Sequence, residues 1–211
     1  MVMGIAVMQG RTGQQMSAEE FRDFQKYRPD HERWELLAGV PVMMTPPRLI
    51  HNRIAENLAR LLDDSFDRQG LPLMATQRSG FKSFILDGRV YEPEPDVAVI
   101  DTEYELEQRY FDVAYLLAEV VSSSDQIGVP GTGREWIDVK CELYRSHAAC
   151  VALLVITQDH MAVQVELRTD DGWTSDVLTG PDAEIVIPKL SFRCCVGDLY
   201  DRTPLKSQLR S

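Results

Sequence analysis

Residues 95–100 read Pro95-Asp-Val-Ala-Val-Ile100, and residues 113–121 read Val113-Ala-Tyr-Leu-Leu-Ala-Glu-Val-Val121. Both are short apolar runs without polar alternation, the pattern of a strand covered on both faces inside a sheet. Each carries one misplaced carboxylate. Asp96 opens the first run behind a proline that keeps the chain extended, and Glu119 interrupts the second near its end. Burying an ionised carboxylate is costly unless a cation or hydrogen-bond donor offsets it. Two such acids on neighbouring strands repel each other, and a divalent cation between them removes the conflict.

The next periodic segment, 134–147, reads as a helix. On it Lys140 shares a face with Trp136, Leu143, Tyr144 and His147, the apolar side that packs on a sheet. Lysine is rarely buried without a partner, so Lys140 is expected to point back at the two acids. Asp, Glu and Lys around one metal ion suit phosphodiester hydrolysis. The metal polarises the phosphate and makes a water more acidic, and the lysine steadies the nucleophile or the developing charge. Taken singly, each residue also has a plainer reading: Asp96 as a turn cap beside the prolines, Glu119 as the partner of Arg134 or another base, Lys140 as a snorkelling side chain.

Outward from this centre, Ser17-Ala-Glu-Glu20 has the form of a capping box, with a short helix to Tyr27 before Pro29. Arg33–Leu37 and Val40–Met44 flank Ala38-Gly39 as a hairpin. In 48–66, Ile50, Ile54, Leu58, Leu61 and Leu62 make one helical stripe. Strand-like runs at 73–77 and 81–86 precede a turn at Asp87-Gly88, and 91–95 is extended. An acidic connector fills 101–112, a polar loop Ser122–Gly133, and a further double-sided strand 150–156. Runs at 161–167, 173–178 and 184–187 read as antiparallel strands, with a tight turn at Asp170-Asp-Gly172. The order predicts mixed α/β with an antiparallel extension.

The charge is 22 − 33 = −11, which excludes a nonspecific DNA-coating protein but not an enzyme that meets nucleic acid locally. Eight acids against Arg109 alone concentrate in 92–112. Cys141, Cys150, Cys194 and Cys195 have no zinc spacing and read as free thiols of a reducing compartment. No apolar run reaches the roughly 20 residues of a membrane helix. The first residues lack a basic start and a cleavage site, so 1–16 is expected to be a flexible leader and the protein cytoplasmic.

Five stretches, in this order, resemble the Uma family of bacterial restriction-endonuclease-like proteins, within the PD-(D/E)XK nuclease superfamily. They are Trp34-Glu-Leu-Leu-Ala-Gly-Val-Pro-Val-Met-Met-Thr-Pro-Pro47, His51-Asn-Arg-Ile54, Pro95-Asp-Val-Ala-Val99, Ala118-Glu-Val-Val-Ser-Ser-Ser124 and Lys140-Cys-Glu-Leu-Tyr144. The likeness runs from about residue 17 to 200. It implies a restriction-endonuclease-like core, a mixed central sheet flanked by helices, with Asp96 and Glu119 as ligands of Mg²⁺ or a substituting Mn²⁺. The superfamily lysine two residues past the glutamate is absent, since Val121 stands there. The Uma pattern carries it on the next helix, four before a tyrosine, as Lys140 and Tyr144 do. The family's common Asp-Gly-Glu is Ala38-Gly39-Val40 here, Ser123 replaces a frequent proline, and a Gly/Pro-rich insert lies near 127–133.

The sequence therefore leads to one domain over 17–200 with a tail at 201–211, and to a Mg²⁺-dependent endonuclease acting on DNA as a homodimer, away from membranes. Catalysis falls to Asp96, Glu119 and Lys140, with the Val120 carbonyl completing the metal shell. Glu35, His51 and Glu56 are auxiliary candidates; Glu56 lies off the apolar stripe, and His51 reads first as a hydrogen-bonded histidine. The rival is a weak or inactive dimeric binding protein that keeps the fold, which the net charge favours. Arg48, Arg53, Arg60, Arg78, Lys82 and Arg89 are the candidates for a local basic face.

Overall fold

The structure is a computed structural model that describes residues 15–29, 31–121 and 127–208. The expected leader, apart from its last two residues, and part of the Ser122–Gly133 loop, including Ser123, lie outside the described residues.

Helix α1 (Ala18–Lys26) starts at the expected capping box: the Ser17 hydroxyl accepts the Glu20 N–H at 3.3 Å, and the Glu20 carboxylate accepts the Ser17 N–H at 2.8 Å. Strands β1 (Trp34–Leu37) and β2 (Val40–Met43) form the hairpin, turning through Ala38 and Gly39 at φ 52° and 80°. Two successive positive φ values match the right-handed twist of the strands. Helix α2 (Leu49–Gln69) outruns the apolar stripe and stops where Gly70 becomes left-handed at φ 65°. β3 (Leu73–Thr76) follows. The run at 81–86 is split into β4 (Gly80–Phe81) and β5 (Phe84–Leu86), because the Phe81 and Lys82 amides turn to the Pro93 and Phe111 carbonyls. β5 pairs with β6 (Arg89–Tyr91) around Asp87-Gly88.

The buried strands are β7 (Val97–Asp101) and β9 (Leu116–Val121), separated by the acidic connector and the two-residue β8 (Tyr110–Phe111), which pairs with β4. Helix α3 (Trp136–Ser146) leads to β10 (Ala152–Thr157), β11 (Ala162–Thr169) and β12 (Gly172–Thr179). A second hairpin, β13 (Glu184–Ile187) with β14 (Phe192–Cys195), and the short helices α4 (Val196–Leu199) and α5 (Pro204–Gln208) follow.

Six strands make the central sheet in the order β12-β11-β10-β9-β7-β3. Only β9 and β10 are parallel, and α3 is their crossover; the other neighbours are antiparallel. Side chains alternate between the faces of each strand. Val97 and Val99 of β7, Leu116, Ala118 and Val120 of β9, and Leu154 of β10 pack with Ile54, Leu58, Leu62 and Phe66 of α2. Ala98, Ile100, Leu117 and Leu153 pack on the opposite side with Trp136, Val139, Leu143 and Tyr144 of α3. The two-sided apolar runs thus have a cause: each face has its own helix. All four cysteines are free, and Cys195 alone is partly exposed. Among the described residues no helix is long and apolar enough to cross a membrane.

Candidate active site

β7 and β9 run antiparallel with Val97 opposite Ala118 and Ala98 opposite Leu117. Extending that register by one residue sets Asp96 opposite Glu119. Alternation sends both toward the α3 face, with Ala98 and Leu117. Side chains facing each other across an antiparallel pair start about 4.5–5.5 Å apart, and like charges there destabilise. The strands hold the acids rigidly: the Val120 N–H donates to Asp96 Oδ2 at 2.9 Å. An extended residue sends its N–H and C=O to the same side, so the Val120 carbonyl faces the same edge.

Lys140 comes down from α3 onto these acids. Its Nζ lies 3.0 Å from Glu119 and 2.9 Å from Glu35 Oε1. It is 4% exposed, so it does not snorkel. Tyr144, one turn further along α3, donates its hydroxyl to Glu119 Oε1 at 2.7 Å. Glu35, on β1 and fully buried, also accepts from the Trp136 indole and, at 3.0 Å, from the Glu94 N–H. On the Asp96 side, His51 Nε2 at the start of α2 is 3.0 Å from Oδ1, and Arg33 reaches it at 3.5 Å while spanning to Glu94 at 3.4 Å.

The site therefore gathers four carboxylates (Glu35, Glu94, Asp96, Glu119) around two permanent cations, Arg33 and Lys140. Burial raises Asp96, but the His51 hydrogen bond and the charges of His51, Lys140 and Arg33 outweigh it and hold it down at about 2. Burial raises Glu119 to about 8, with Asp96 and Glu35 adding to the rise and Lys140 and Tyr144 opposing it. Lys140 is held well above its ordinary value: burial opposes, but the charges of Glu119, Glu35 and Asp96 prevail. The two acids are pushed in opposite directions, Asp96 toward its ionised form and Glu119 toward its protonated form, and a second positive charge beside Glu119 would oppose that push.

A divalent ion fits this donor set. The ligands on offer are hard carboxylate oxygens and a carbonyl, with surplus negative charge, and Asp96 Oδ2 and Glu119 Oε2 each have one donor among the described residues, which leaves each a lone pair for an ion. No three metal-binding side chains converge among the described residues. Mg²⁺ is commonly held by one or two carboxylates, with water and substrate phosphate completing the shell.

The profile of the Uma2 family, described as "Putative restriction endonuclease", matches residues 18–193. The chain belongs to the Uma2 family. A crystal structure from Anabaena variabilis, described as "a putative nuclease belonging to DUF820", resembles it with a TM-score of 0.64 at 15% identity, covering 88% of this chain and 97% of the other. The two share the mixed α/β fold expected from the sequence. No curated protein matches the chain.

In this Uma2 protein Asp96, Glu119, Lys140, Glu35 and His51 meet at one place. Glu56 does not join them: it is exposed on α2 and paired with Arg53 at 2.7 Å. Glu119 pairs with Lys140, while Arg134 goes to Glu142 at 2.5 Å. Arg33 and Glu94 were not singled out by the sequence reading, although the signal was present. Each sits two residues before a site acid, Glu35 and Asp96, in extended chain, which is same-face spacing. The insert near 127–133 is tied down: the Val129 N–H donates to the Arg134 carbonyl, and Arg89 donates to the Pro130 and Gly131 carbonyls. The six proposed basic residues do not form a common free face. Arg48, Arg53, Arg60 and Lys82 pair with Asp159, Glu56, Asp64 and Asp112, and Arg89 is held by the Pro130 and Gly131 carbonyls, leaving Arg78 with neither kind of partner among the described residues.

Proposed function

We propose that this Uma2 protein is a Mg²⁺-dependent endonuclease that hydrolyses phosphodiester bonds in DNA. One observation carries the reading: two acids fall on facing positions of adjacent buried strands, with a buried lysine 3.0 Å from one of them and four carboxylates against two cations. Asp96, Glu119 and the Val120 carbonyl are the groups to hold Mg²⁺, or Mn²⁺ in its place. When bound, the ion supplies Lewis-acid stabilisation of the phosphoryl charge and a more acidic water. The chain's own groups do the rest. His51 and Arg33 orient Asp96, Glu35 and Tyr144 fix Lys140 and Glu119, and Lys140 stabilises negative charge that develops beside Glu119. We further propose cytoplasmic action as a homodimer.

A second reading, an inactive binding protein on the same fold, draws support from burial: Asp96, Glu119 and Lys140 are 7%, 5% and 4% exposed. Incubation of the full chain with single-stranded DNA, duplex DNA and RNA, in Mg²⁺, Mn²⁺ or chelator, separates the two. Metal-dependent DNA cleavage is expected, as is a rise in melting temperature with millimolar Mg²⁺ that Asp96→Ala removes. Absence of cleavage and of any metal-induced shift contradicts the nuclease and supports the binding protein.

A further inference from the structure

Beside the acidic site lies a cleft of about 850 Å³ between α1, the segment Arg78–Gly80 and Tyr110. Arg33 and Glu94 line it, so it shares with the site the guanidinium that lies 3.5 Å from Asp96. Its basic lining is Arg22, Lys26, Arg28, Arg33, Arg78 and Arg109, against as many acids. On a chain of net charge −11, a concavity at formal balance repels a polyanion less than the average surface does. The hollow around Ile100–Val113 has Lys82 and Arg109 facing five acids.

The cations in the cleft are not equally committed. Arg22 is held by Glu92 at 2.5 Å, Lys26 by Asp23 at 2.7 Å and Arg33 by Glu94 at 3.4 Å. Arg28, Arg78 and Arg109 have no ion-pair partner among the described residues. Arg28 lies over the Phe24 ring at 4.6 Å, with its buried Nε unbonded. Arg78 is presented from a left-handed backbone position, φ 55°, and is exposed. Three guanidiniums without an ion pair among the described residues, and a fourth beside the acids, line the same cleft and suit several phosphates of one strand. The volume is that of a small-ligand pocket, enough for a few nucleotides of one strand but too small to enclose a duplex.

We infer that this cleft seats a single DNA strand, with Arg28, Arg78 and Arg109 on its phosphates and Arg33 at the inner end, on the phosphate nearest Asp96. The inference rests on the nuclease reading for the role of that inner phosphate, and on the cleft alone for the strand.

The test is fluorescence anisotropy of a labelled single-stranded oligonucleotide, and of its duplex, with the full chain in chelator over a range of salt. Arg78→Asn with Arg109→Gln removes two exposed charges that have no ion pair among the described residues, and asparagine tolerates the left-handed backbone at 78. This pair is expected to weaken single-strand binding roughly tenfold or more and to lower the slope of log affinity against log salt by about one to two. Arg53→Gln with Arg60→Gln, on the outer face of α2, is expected to change neither. The cleft is overturned if the parent does not bind, if the cleft pair binds like the parent, if the control pair weakens binding equally, or if duplex is preferred. Cleavage in Mg²⁺ is read separately. A parent that binds through the cleft without cutting overturns the nuclease reading alone. Cutting by the cleft pair at unchanged KM overturns the cleft alone.

Discussion

Lys140 has two jobs that one substitution exposes together. It is the only permanent cation contacting both Glu35 and Glu119 among the described residues, and removing one partner of a buried ion pair costs about 3–5 kcal/mol. Glu119 can soften the loss by keeping a proton. Its folded value of about 8 lies above its ordinary 4.5, so between those values the folded state binds a proton that the unfolded chain has released. Stability without metal therefore falls as pH rises from about 4.5 to 8, then levels. Taking away Lys140 removes the strongest opposition to that rise and moves the end of the fall higher. Lys140→Met is thus expected to lose most stability above pH 8 and less near pH 6, measured by urea unfolding at several pH values. An equal loss at all pH values contradicts the coupling of Lys140 to Glu119.

At the scale of elements, His147 closes α3 and ties it to the approach of β9. Its Nε2 accepts the Ala114 N–H at 3.2 Å, and its ring sits 4.8 Å from Phe81. Burial first, then the Arg168 charge, lowers its pKa below the ordinary 6.5. A histidine depressed in the fold contributes stability that is present above its unfolded value and lost as pH falls below about 6.5 toward the folded one. Unfolding of the parent and of His147→Gln, compared from pH 7.5 to 5, is expected to show an extra loss in the parent alone; parallel curves contradict this. The main elements were legible because their signals are local: the α2 stripe, the double-sided strands, the capping box at Ser17. The break at Ser83 was not, because it depends on amides meeting carbonyls of Pro93 and Phe111, distant in sequence. The site was legible where a charge violated an apolar pattern, as at Asp96, Glu119 and Lys140. Arg33 and Glu94 violated none, standing among other charged residues.

For the whole molecule, the apolar strand β2 and its neighbour Met44 lend the expected dimer no support. Val40, Met43 and Met44 are not surplus surface: they pack against the cores beneath β1 and α3. A different feature takes their place. β12 is an eight-residue sheet edge with unbroken pairing to β11, no proline or lysine, one charge at Asp176, and Val177 67% exposed. Exposed edges usually carry such guards against strand addition. A two-fold dimer joined through β12 is expected at micromolar concentration, and Val177→Lys is expected to give monomers with unchanged melting. A monomeric parent mass by light scattering contradicts the dimer.

Asp96 and Glu119 are proposed as the metal site of a DNA-cleaving enzyme. This assignment is tested most directly by the Mg²⁺-dependent DNA cleavage rate of the parent beside that of Asp96→Asn, with both proteins shown to be folded. Cleavage by the parent is expected to stop in chelator and to fall by roughly a hundredfold or more in Asp96→Asn, the scale of losing one electrostatic group at the transition state. Equal rates in the two proteins, or cleavage that persists without metal, would contradict the assignment.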